Sequence, residues 1–109
     1  MQLITLEQAR AHCRVDGTAD DDMLTLYGDA AEEAARQLLN RNIYPDQASL
    51  EAAADETGIV ANAAIVAAVL LQLGNLYSNR EAVVQESSPV ELPLGSMSLL
   101  WPYRIGLGV

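Results

Sequence analysis

Few side chains in this sequence can do covalent or metal chemistry, and their spacing keeps them apart. The single cysteine, Cys13, directly follows the single histidine, His12. A thiol beside an imidazole base is a common arrangement for an activated nucleophile. Adjacent residues on a helix, however, point about 100° apart, so His12 faces away from Cys13. Cys13 then reads as a small buried hydrophobe, and His12 as a surface or partly packed side chain without a second ligand at zinc spacing. Asp16, Thr18 and Asp20 alternate as calcium-loop ligands do. Asp21 nevertheless stands where the turn glycine belongs, and Tyr27 where the bidentate glutamate belongs. Gly106-Leu107-Gly108 lacks the helix and the lysine of a phosphate-binding loop. The other carboxylates fall on solvated helical faces, with no pair placed for acid–base work. The expectation is a protein that is not an enzyme and has no catalytic residues, no cofactor and no metal.

The elements that hold these residues read as helices. Thr5 followed by Gln8 makes a capping-box start, Leu6, Ala9 and Cys13 share one face, and Val15-Asp16-Gly17 is a turn. Asp20, Asp21 and Asp22 then suit the positive end of a helix dipole. The helix they open is expected from Asp21 to Leu39, with Leu24, Tyr27, Ala31, Ala34, Ala35 and Leu38 as its apolar stripe. Asp22, Asp29, Glu32, Glu33 and Arg36 gather opposite, while Leu26 falls off the stripe. Asn40 to Pro45 closes the helix. Asp46 caps a short, solvent-exposed helix through Ala54, with Gly58 ending the excursion.

From Ile59 to Asn79 apolar residues surround nearly the whole circumference, leaving a polar strip of Gln72, Asn75 and Asn79 with Asn62 at its edge. Such a helix lies at the centre of a bundle or spans a membrane. This one is barely long enough for a bilayer and carries polar residues within it, which favours the bundle. Arg80 and Glu81 end it, and residues 85–93 form an irregular connection. A last short helix runs from Leu94 to Trp101 and stops at Pro102. The fold class expected is therefore all-α, a small bundle of about four to five helices around a long central apolar helix. Residues 1–104 form one domain, and residues 105–109 form a tail that is either frayed or a docking strand.

Composition narrows the function. Half of the 109 residues are hydrophobic, but alanine, leucine and valine dominate and phenylalanine is absent. A core of alanine and leucine removes little area per residue at roughly 25 cal/mol per Å², so assembly with other copies would compensate. Fifteen acidic residues face six arginines and no lysine, giving a net charge of −9. That balance opposes adhesion to nucleic acid and to anionic membranes alike. One cysteine rules out an internal disulfide, and no signal peptide is expected.

The order of segments resembles the head–tail connector family of tailed bacteriophages, the head-completion adaptors associated with DNA packaging. The resemblance rests first on Leu3-Ile4-Thr5-Leu6-Glu7-Gln8-Ala9-Arg10, then on Val15-Asp16 and the run Asp20-Asp21-Asp22. It continues in Leu76-Tyr77-Ser78-Asn79-Arg80-Glu81-Ala82-Val83. It ends with Leu92-Pro93-Leu94-Gly95 leading to Leu99-Leu100-Trp101-Pro102-Tyr103-Arg104. The resemblance implies a structural virion protein at the head–tail junction, made in the host cytoplasm. Its partners would be itself in a ring, twelvefold in the virion, the portal protein, and the next head-completion or tail protein. DNA would pass through the extended channel without specific binding. Rival readings are a small helical protein-binding regulator and a membrane-active phage protein using residues 59–77.

For partner and subunit contacts the reading favours the outward circumference of the long helix with Leu26, Arg80, Glu81, Trp101, Tyr103 and Arg104. Arg80 has a second explanation as compensation of a helix C-terminus, and Trp101 and Tyr103 as closure of the core. Asp29, Glu32 and Glu33 are the candidates for an acidic channel wall.

Overall fold

The computed structural model describes residues 1–78 and 94–105. Asn79, Arg80, Glu81, the connection at 85–93 and the tail beyond Ile105 lie outside the described residues.

Local signals set most of the helix ends. Helix α1 (Leu6–Cys13) starts with the full capping box: the Thr5 hydroxyl accepts from the Gln8 N–H, and the Gln8 side chain accepts from the Thr5 N–H. It stops at Arg14, whose left-handed backbone frees its N–H for carbonyls of the last turn. Helix α2 (Asp21–Leu39) has the expected bounds and ends on Asn40, also left-handed. Asp20 precedes it without a capping bond of its own, because its carboxylate accepts from the Tyr77 hydroxyl. Strand β1 (Ile43–Tyr44) and helix α3 (Gln47–Ala53) follow, the latter capped by Asp46 and ended, as expected, at Ala54, whose backbone is left-handed. No residue of α3 is buried, as expected of a solvent-exposed excursion.

The central helix begins later than the apolar run suggests. Strand β2 (Ile59–Val60) pairs in parallel with β1, Ile43 against Ile59 and Tyr44 against Val60. Asn62 then caps helix α4 (Ala63–Ser78), its Oδ1 accepting from Ile65 N–H at 3.0 Å. The fold is thus a mostly helical bundle with one tiny two-stranded sheet. Among the described residues no helix is long and apolar enough to cross a membrane. Helix α5 (Leu94–Leu100) runs into a closing 3₁₀ turn, Trp101–Tyr103.

The core lies where α2, α4 and α5 meet, filled by Leu24, Leu39, Ile43, Ile65, Leu73 and Leu100. Ala9, Ala31, Ala35 and Ala68 are as fully buried as the leucines. Each offers a single methyl, about 0.8 kcal/mol of transfer energy, but lets neighbouring backbones approach closely. Ser96 does the same between α5 and α4, and its hydroxyl donates to the Ala68 carbonyl at 2.9 Å. Gln72, expected on a polar strip, is fully buried against this packing, and its amide has no partner among the described residues.

Glu32 also departs from expectation. It lies 2 % exposed instead of on the solvated face of α2. Its carboxylate accepts backbone N–H groups from Gln2 at 3.0 Å, Leu3 at 2.8 Å and Ile4 at 3.1 Å. Three consecutive amides without a sheet partner need an acceptor, and one carboxylate supplies it. Leu3 and Ile4 enter the core as a result. Glu32→Ala would leave these amides unpaired and should lower stability by about 3 kcal/mol. That is a drop on the order of 10 °C in Tm by calorimetry. Glu33→Ala, one position along and exposed, should stay within about 0.5 kcal/mol of the parent.

Candidate assembly surface

Two side chains fix the ends of the bundle. Arg10 donates Nε to Asp21 at 2.9 Å and a second N–H to its other carboxylate oxygen, joining α1 to the start of α2. The hydrogen bonds between them, helped by the opposite charges, raise the Arg10 pKa and lower that of Asp21. At the far end Arg41 donates to three carbonyls: Thr57 at 2.7 Å, Gly58 at 3.1 Å and Tyr103 at 3.3 Å. Beside it the Ile105 N–H donates to the Leu39 carbonyl at 2.9 Å. The closing turn is therefore fastened to the C-terminal end of α2.

That fastening presents Trp101 outward. Trp101 is 56 % exposed, and the Arg104 guanidinium lies 4.8 Å from its ring centroid. Stacking leaves the edge N–H groups of Arg104 free to donate. Tyr103 is half-buried and packs against the core cluster. Leu26 is 61 % exposed on the outer side of α2, with Met23 exposed one turn before it. Asp29 pairs with the Met1 amino group at 2.8 Å yet is itself largely exposed, and Glu33 is exposed beside Arg36. Of the three candidates for a channel wall, Asp29 and Glu33 thus face outward, while Glu32 is occupied inside.

A polar groove of about 420 Å³ runs between α2 and the loop before β2, lined by Glu33, Arg36, Asn42, Asp55 and Thr57 among others. Asp55 organises its floor, accepting from the Tyr44 hydroxyl at 2.8 Å, Asn42 at 3.2 Å and both the amide and hydroxyl of Thr57. These donors favour the ionised form and take its pKa from an ordinary 3.8 down to about 2. The arrangement closes the β1–α3–β2 loop. Cys13 is half-buried, and burial raises its thiol pKa, away from the reactive range. No group of His, Cys, Asp or Glu among the described residues is placed to hold a metal ion. Asp20, the third ligand of the calcium-like spacing, is taken by Tyr77.

The bundle thus has two fastened ends and holds aromatic and aliphatic side chains outward. A family model of phage gp6-like head-tail connector proteins matches residues 3–104. The chain belongs to that head–tail connector family. The connector family is a structural one, so the protein is a phage structural component that assembles with other head or tail proteins in the virion. Neither the curated proteins nor the solved structures contain a match to the chain.

In this connector the sequence signal for Trp101, Arg104 and Leu26 was composition and helical phase. Arg41 and Asp55 carried no comparable signal in the spacing of residue types, since each acts on backbone or side chains from other elements. The Asp55 contacts do have a pH signature. A carboxyl whose folded pKa lies below its unfolded one contributes stability above the unfolded value and loses it as pH falls through the folded value. Asp55→Asn should therefore lower Tm at pH 7. In thermal melts from pH 7 to 2 the gap from the parent should shrink below about pH 4 and be nearly closed at pH 2.

Proposed function

We propose that this connector subunit forms a ring beneath the portal, twelvefold in the virion, after the genome is packaged. The ring extends the DNA channel and receives the next head-completion or tail protein. Synthesis and assembly take place in the host cytoplasm. The observation that carries this reading is the family match over residues 3–104, which leaves only the chain's two ends outside it. The net charge of −9 without a lysine supports the channel role. A wall of carboxylates repels phosphates across about 8 Å at physiological ionic strength, so DNA slides past without a binding site. Asp29 and Glu33, exposed along α2, are the side chains we assign to that wall. Subunit contacts fall to Leu26, Trp101, Tyr103 and Arg104, together with Arg80 and Glu81 beyond α4.

Electron microscopy and light scattering of the purified chain, alone and mixed with portal assemblies, test the ring. Closed rings with an open centre are expected in one or both samples. A strict monomer that also fails to bind the portal would overturn the proposal. Reversing the wall charges by Asp29→Lys with Glu33→Lys should slow DNA exit several-fold in a genome-release assay. Unchanged release from fully assembled particles would remove these residues from the wall.

A further inference from the structure

The two outward-facing patches differ in chemistry, and each matches the other. One is an aromatic ring with a stacked cation, Trp101 under Arg104, at the C-terminal end of the bundle. The other lies on the N-terminal half of α2, where Asp22, Met23 and Leu26 are all exposed. At about 100° per residue Asp22 and Leu26 lie some 40° apart on the helix, with Met23 about 60° beyond Leu26, so a carboxylate borders an aliphatic surface. A tryptophan ring fits the Leu26 and Met23 side chains, methionine sulfur included. The arginine over that ring reaches a carboxylate at its border.

These patches cannot meet within one chain. The closing turn is fastened to α2 at Leu39 by the Ile105 N–H. Leu39 and Leu26 are thirteen positions apart on α2, about 20 Å along the helix axis at 1.5 Å per residue. Each patch is also free to accept a partner. Among the described residues no carboxylate pairs with Arg104, and Leu26 is the most exposed of the large hydrophobic side chains.

We propose that the Trp101–Arg104 patch of one protomer docks on the Asp22–Met23–Leu26 patch of the next copy. The inference rests on the ring reading above and specifies its subunit contact. The contact joins two different faces, which makes it heterologous, and a heterologous contact propagates into a ring when its rotation closes. Asp29 and Glu33, further along the same strip of α2, are left uncovered beside the contact.

Because each protomer carries one donor face and one acceptor face, complementation tests the pairing. Trp101→Ala and Leu26→Asp should each weaken self-association by about 30-fold or more. Circular dichroism and Tm should stay unchanged, since both side chains are more than half exposed. Mixed in equal amounts, the two variants keep one intact pair of faces between them and should form a 1:1 dimer that goes no further. If Leu26→Asp unfolds, Leu26→Ala combined with Met23→Ala replaces it. Arg104→Glu should also weaken association, and Arg104→Glu with Asp22→Arg in the same chain should restore it. A wild-type chain monomeric at millimolar concentration overturns the inference, as do variants that associate like the parent, a mixture that stays monomeric, or a charge exchange without recovery. Rings that persist in both variants would sink this contact and keep the ring. Open chains that both variants abolish would keep the contact and sink the ring.

Discussion

The fold depends on a carboxylate placed where an acid is costly. Glu32 is nearly inaccessible to water, and its desolvation is offset by three successive amides from residues 2–4. The amides need it equally, because an extended segment lying on a helix finds no ladder of its own. Through this exchange Leu3 and Ile4 reach the core, Met1 is drawn against Gly28, and the start of α1 is set at Thr5. A β-carbon at Gly28 would overlap the Met1 side chain, so a small residue there serves the same docking.

Around that clasp the core is thin in the way the composition implies. Alanines at 9, 31, 35 and 68 bring helices together without contributing much area each. Polar bonds between elements then do what bulky side chains would do elsewhere. Arg10 with Asp21, Tyr77 with Asp20 and Ser96 with the Ala68 carbonyl each tie one helix to the next. The same economy leaves large hydrophobic side chains such as Leu26 and Trp101 outside, the surface to which the proposed subunit contact is assigned.

What could be read from the sequence was local. The Thr5–Gln8 capping box, the Asp46 cap and the span Asp21–Leu39 depend on residues within a turn of each other, and all three appear as expected. Ile59 and Val60 belonged to an apolar run that fits strand or helix equally well. Only pairing with Ile43 and Tyr44, sixteen residues earlier, separates them from α4. Glu32 was misplaced for a similar reason, since its partners lie 28 to 30 residues away. A signal did exist: by helical phase Glu32 stands about 20° from Leu39 and 40° from Gly28, at the margin of the buried arc. Arg41 had no such phase to betray it, because it sits beyond the helix end and binds only carbonyls.

Arg41 also decides how force would travel through the subunit. Its guanidinium holds carbonyls from the loop before β2 and from the closing turn, while the adjacent Leu39 carbonyl holds Ile105. A pull on Trp101 would reach the Tyr103 and Ile105 bonds, while the Thr57 and Gly58 bonds brace Arg41 from the other side. The load passes into the 19-residue shaft of α2, at whose other end Asp21 is gripped by Arg10. A tug at one margin of the subunit is thereby delivered as tension along a single stiff rod to the opposite margin.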